Sequence, residues 1–214
     1  MRTIVVALCA VLVAGCSAGS EAATPAPAGP APDPAAVVRA LLLPDQVTAP
    51  KGLVEAGEPV EGVRKLIECP DLPSAGQAVA GITATWTWSG DRRSAIVTQY
   101  SAVYREVSGK DVVKQARTAS TCYRGADLRI TEPQPLDEYL YAQDDLGRTT
   151  PFVDDRYSYC ISNEVTHRQV CVAVQAKADK VVRTTIDLAA DPLVGDGWLS
   201  SKDFAQAVTD RLVA

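Results

Sequence analysis

The sequence predicts an α+β fold: an antiparallel twisted sheet of about five to seven strands, packed with about three α-helices and stapled by two disulfides. Three observations predict it. Two long segments alternate apolar and polar residues around short turns, the pattern of antiparallel hairpins. Three other segments set apolar residues at helical spacing behind capping residues. Four cysteines fall in a segment that reads as exported, where an even count pairs as disulfides.

The elements follow in chain order. Asp33-Pro34 opens a helix, as an N-cap followed by proline at N1; Val37, Val38, Leu41 and Leu42 mark its face and Pro44 ends it. Residues 51–80 are irregular, with a candidate strand at 63–69. In the hairpin 82–104, Ile82, Ala84, Trp86 and Trp88 alternate with Thr83, Thr85, Thr87 and Ser89; Gly90-Asp91 turns, and 94–104 runs back. Ser108 caps a helix running to Cys122, with Asp111 completing a capping-box variant. Residues 126–130, 138–142 and 181–188 are further strands. Ser200-Ser201-Lys202-Asp203 opens the last helix, with Phe204, Ala207, Val208 and Leu212 inward.

The second hairpin pairs residues 155–164 with 168–176. Setting Asn163 against Arg168 brings Tyr159 opposite Val172, Ile161 opposite Val170 and Tyr157 opposite Val174 on one face. The same register brings Cys160 opposite Cys171 on the polar side, with Ser158, Ser162 and Gln169. A slip by one residue would move every side chain to the wrong face. Directly opposed strand residues lie within disulfide reach, so the expected bridges are Cys160–Cys171 and, with the two cysteines that remain, Cys69–Cys122. Chain entropy assigns them ~3 and ~4 kcal/mol. A zinc site is disfavoured, because no two of the four cysteines show the C-x₂-C spacing.

Residues 1–15 have the form of a signal peptide. Arg2 is the positive start, the apolar run through Leu12 is too short to span a bilayer, and small residues follow. Its end, Val13-Ala14-Gly15-Cys16, resembles the lipobox of bacterial lipoproteins. That resemblance implies cleavage before Cys16 and a lipid on its sulfur, with the protein on the outer face of the cytoplasmic membrane. Two or more acyl chains suffice for stable anchoring, at ~0.8 kcal/mol per buried CH₂. Residues 16–34 form an Ala/Pro-rich linker that extends up to ~50 Å as polyproline II. Residues 35–214 are of a size for a single domain. With 21 basic against 26 acidic side chains (net −5), the chain suits no phosphate backbone, and no nucleic-acid partner is expected.

The globular part resembles the PknH-like extracellular sensor domain family of actinobacteria over roughly residues 40–213. The resemblance rests on Leu41-Leu42-Leu43-Pro44-Asp45, on Cys69-Pro70-Asp71-Leu72 and on residues 99–104 ahead of the amphipathic helix. It rests also on Cys122 ending that helix and on the Cys160/Cys171 hairpin. It implies a sheet flanked by helices, two disulfides, and a cleft for an unidentified ligand.

Nothing in the residues assembles catalysis. The sole histidine, His167, lies at a hairpin tip, and no G-x-S-x-G, S-x-x-K or H-E-x-x-H occurs. Asp144-Asp145 and Asp154-Asp155 read as solvated loop acids, lacking the alternation of a calcium loop. No cofactor or metal is expected. Trp86 and Trp88 are the candidates for a ligand-stacking surface, although an all-Thr/Ser opposite face places them inward as core. The expected function is a non-enzymatic, lipid-anchored extracytoplasmic binding or sensor module, whose cleft takes an envelope ligand or partner protein. The alternative is a structural or interaction lipoprotein of the cell envelope without a small-molecule site.

Overall fold

Asp33 is extended (φ −61°, ψ 120°) and its carboxylate accepts the Ala35 N–H, so helix α1 (Pro34–Ala40) starts at the cap and proline that the sequence marks. The computed structural model describes residues 32–67, 71–90, 93–119, 129–131, 152–163, 168–190, 199 and 202–214. The signal peptide, Cys16, most of the linker, Cys69, Cys122, Asp144-Asp145, His167 and the strand expected at 138–142 lie outside them.

One turn of helix, α2 (Asp45–Thr48), follows Pro44 and runs into a 3₁₀ turn at Ala49–Lys51. Residues 63–67 are not the expected strand. Only two short strands form here, β1 (Val54–Glu55) and β2 (Val60–Glu61), both antiparallel to β3 (Ala78–Gly90). Gly62, at φ 134°, turns the chain off the sheet edge. Beyond it the Arg64 N–H donates to the Tyr100 hydroxyl (3.0 Å) in place of a ladder partner, while Leu66 and Ile67 bury their side chains.

β3 returns through β4 (Arg93–Tyr104), with Trp86 opposite Val97 and Gly90 opposite Arg93. Helix α3 (Gly109–Ala119) begins at a reciprocal cap: Ser108 Oγ accepts the Asp111 N–H (3.1 Å) and donates to the Asp111 carboxylate (2.6 Å). Then come β5 (Arg129–Thr131), β6 (Asp155–Asn163), β7 (Arg168–Lys177), β8 (Lys180–Ala190) and helix α4 (Lys202–Val213). The sheet order is β1-β3-β4-β8-β7-β6-β5, with β2 also on β3, and every adjacent pair is antiparallel. The fold is therefore α+β, as the alternation predicts. The β6–β7 register is the one the cysteines require: Cys160 faces Cys171 at a Cα separation of 4.0 Å and the two are bridged.

The distribution of cover departs from expectation. The sequence implies one wet face, but helices cover both faces, at different places. On the face carrying Thr83, Tyr100 and Tyr159, α3 with Leu66, Ile67 and Leu72 buries Tyr100, Ala102, Tyr157, Val172 and Val174. On the tryptophan face, α1, the segment following it and α4 bury Ala84, Trp86, Val97, Ile186 and Leu188 beneath Leu41, Leu43, Phe204 and Leu212. The cysteine side of the β6–β7 hairpin belongs to this second face and is not wet. Ala173 packs on Ala205, and Gln175 Nε2 donates to Thr209 Oγ1 (2.8 Å) and to the Ala205 carbonyl (3.3 Å). Small side chains let α4 approach closely, and the one large polar group is hydrogen-bonded, so burial there carries little penalty.

Candidate functional site

Between α3 and the hairpin tip, the threonine face of the sheet is left uncovered by helix. Two rows of strand partners form its floor: Thr83–Tyr100–Arg183, and beside it Thr85–Thr98–Thr185. β-Branched threonine suits the strand backbone and presents a hydroxyl outward. In the next row Ile96 is 43 % exposed, which marks this stretch as open. The segment leaving β2 forms a wall, bringing Arg64 and Lys65 over the floor. The result is a cavity of about 210 Å³ lined by those two residues with Thr83, Thr98, Tyr100, Arg183 and Thr185.

Gly81 makes the close approach feasible. A Cβ there would stand 2.7 Å from the Gly62 carbonyl and 2.9 Å from the Tyr100 hydroxyl. Without one, Tyr100 reaches under the wall and accepts the Arg64 N–H (3.0 Å), which holds the wall in place. From the floor, Arg183 Nη1 donates to the Leu66 carbonyl (2.9 Å), a second tie between the same two segments.

The lining has one sign of charge. Arg64, Lys65 and Arg183 are cationic and no carboxylate lines the cavity. Lys65 Nζ lies 2.9 Å from Asp71; both side chains are largely exposed and the pair is worth at most about 1 kcal/mol. Burial pushes the Tyr100 phenol above its ordinary pKa, against the smaller opposing pull of the Arg64 N–H and charge. Tyr104, deeper in the same core, is pushed up by burial and then by Tyr100. Both are neutral phenols at physiological pH. Thr83 Oγ1 is excluded from solvent and has no hydrogen-bond partner among the described residues. The cavity thus presents donors, and its complement is an oxygen-rich anion.

The residues singled out by sequence lie elsewhere. Trp86 is 1 % exposed beneath the helices of the opposite face, with no open surface left for a stacked ring. Trp88 is partly buried at the edge of that core, lying against Gly52 and Gly90. Cys160 and Cys171 are bridged to each other and carry no free thiol. Asp154 and Asp155 are not merely solvated. Asp154 accepts from Lys177 Nζ (2.7 Å) and the Ala178 N–H (2.7 Å), while Asp155 pairs with Arg117 (2.5 Å). Among the described residues no group of three His, Cys, Asp or Glu side chains could hold a metal, and no helix is long and apolar enough to cross a membrane.

Sequence reasoning missed Arg64, Lys65, Thr98, Tyr100, Arg183 and Thr185. A signal for two of them was present: Arg183 and Thr185 share one phase of a strand whose other phase is Val182, Thr184 and Ile186.

No protein-family model matches the chain, and no curated protein matches it in sequence. Among solved structures it is similar to the crystal structure of the extracellular domain of PknH from Mycobacterium tuberculosis, at 13 % identity and a TM-score of 0.53. The match covers 86 % of this chain and 97 % of that domain. At that identity the likeness is one of fold: a sheet of the same architecture flanked by helices.

Proposed function

We propose that this chain is a non-enzymatic, lipid-anchored extracytoplasmic module that holds a small ligand in the cavity on its threonine face. The observation that carries the reading is the donor-lined cavity of about 210 Å³, built from four separate segments on a fold shared with an extracellular domain. The signal-like residues 1–15 and the cysteine that follows them support the location. A binding role, rather than catalysis, follows from the lining: cations and hydroxyls, with no carboxylate or imidazole to serve as a base beside a nucleophile.

The location is tested by replacing Cys16 with Ala and fractionating cells. The expected outcome is a membrane-bound, processed wild type and a mutant that is either unprocessed or released. Equal processing and equal membrane attachment of the two would overturn lipid anchoring. A second reading, an envelope interaction protein without a ligand, draws on Val54, Val60 and Val63, which are 67 %, 52 % and 49 % exposed along the β1–β2 edge. Charging Val54 and Val60 to Lys is the matching test, with loss of co-purifying envelope protein as its expected result.

A further inference from the structure

We infer that the cavity on the threonine face is a phosphoryl site, which takes a small phosphomonoester by its phosphate group. The inference rests on the binding role proposed above and specifies the ligand chemistry.

Charge is the first argument. Arg64, Lys65 and Arg183 converge on one cavity in a chain whose net charge is −5, so this is a local reversal of sign. Lys65 pairs with Asp71, and Arg64 and Arg183 bring two guanidinium groups to the lining. A phosphomonoester carries about −1.5 to −2 at neutral pH and a single carboxylate −1, so a cluster of cations favours the phosphoryl group. Guanidinium groups match phosphoryl oxygens in a planar two-pronged geometry, and two of the three cations are arginines.

Hydrogen-bond chemistry is the second argument. The floor offers the hydroxyls of Thr98 and Thr185, both half-buried and able to donate, while Thr83 Oγ1 is closed off from solvent and takes no part. Tyr100 spends its acceptor on the Arg64 N–H and stays protonated, so its O–H proton is a further donor at the floor. Such a site rewards an acceptor-only ligand with several oxygens.

Size is the third. At about 210 Å³ the cavity falls below the roughly 300–1,000 Å³ of sites for drug-sized ligands, and suits a phosphate on a small polyol. The shared chemistry has two sources, a free phosphorylated metabolite or a phosphomonoester lipid headgroup.

The experiment uses the full-length protein in detergent and ³¹P NMR titration with three probes: inorganic phosphate, glycerol 3-phosphate and dihexanoyl phosphatidic acid. Acetate and sulfate are the competitors. Saturable broadening by at least one probe, poorly competed by acetate, is the expected result. Preference for glycerol 3-phosphate identifies a soluble metabolite, and preference for phosphatidic acid a headgroup; either supports the site. Arg64→Ala is expected to weaken binding at least tenfold without loss of fold. Its side chain is exposed, and its tie to Tyr100 uses the backbone amide. Thr98→Val, close in shape, is expected to weaken binding several-fold. The inference is overturned if no probe binds, if acetate competes equally, or if both variants bind like wild type. Equal competition by acetate would overturn the phosphoryl chemistry and leave the binding role standing, whereas no binding of any probe overturns both, so the two readings are told apart.

Discussion

Gln99 shows how a single buried polar side chain sets the path of the chain. It is wholly excluded from water, yet it accepts the Leu43 N–H (2.8 Å) and donates to the Leu41 carbonyl (2.7 Å) and to Ser101 Oγ (3.0 Å). Those two backbone groups follow the end of α1, where no helical partner remains. Gln99→Leu would strand both in the core, at an expected cost of about 3 kcal/mol in chemical denaturation. A loss below about 1 kcal/mol would show that water or relaxation replaces the bonds. Gln175 only donates to α4, whose Ala205 carbonyl also accepts from Thr209 Oγ1 (3.0 Å), so Gln175→Leu is expected to cost less. The tryptophans separate in the same way. Trp86→Ala is expected to cost ~3–5 kcal/mol and Trp88→Ala about half that, because only Trp86 is fully enclosed. Equal losses at both positions would contradict the burial described here.

The β6–β7–β8 meander carries the predictions at the scale of elements. Its cysteine bridge closes a short loop of sequence separation 11, for which chain entropy gives ~3 kcal/mol. Reduction is expected to lower stability by about that amount. Peptide mapping without reduction is expected to yield a linked Cys160–Cys171 peptide and, from the sequence reasoning alone, Cys69–Cys122. The β7–β8 turn places Ala178 at φ 54°, a left-handed conformation that costs a residue with a Cβ about 1 kcal/mol. Asp154 holds this turn. Its hydrogen bond from Lys177, then that from the Ala178 N–H, keeps the carboxyl below its ordinary pKa. A carboxyl lowered in the folded state adds stability above its unfolded pKa, and that stability is lost as pH falls through the folded value. The pair is more than a third exposed, so the expected contribution is about half a kcal/mol. Asp154→Asn should remove that part of the acid sensitivity below about pH 4, measured by melting curves across the acid range. An unchanged acid slope would show that the pairing has no effect on stability.

At the scale of the molecule, pairing of β4 with β8 joins two hairpins into one sheet, and each helix finds a different part of it to cover. The uncovered stretch is what remains when α3 spans only one end of the threonine face. Gly81→Ala tests whether that geometry sets the site. A Cβ meets the Gly62 carbonyl, a backbone atom, so the wall must shift, and phosphate binding is expected to fall further than stability does. Stability lost with binding intact would mean that the wall does not define the cavity.

Local chemistry was legible. The cap at Asp33-Pro34, the Ser108–Asp111 box, both long hairpins and the Cys160/Cys171 register follow from alternation, capping and turn position, all fixed within a few residues of chain. The α+β class followed from their sum. Which face of the sheet stays open was not legible, because alternation says that two faces differ and not what lies over each. Ala173 and Gln175 resemble a wet face until α4, some thirty residues further on, is seen to cover them. The cavity is more remote still, since Arg64, Thr83, Tyr100 and Arg183 meet only through strand pairing and the turn at Gly62. The sequence alone determined the caps, the two long hairpins and the Cys160/Cys171 register, which short-range sterics and hydrogen bonds decide; tertiary packing decided the path of residues 63–67, the joining of the hairpins, the cover and the site, because these depend on segments distant in the chain.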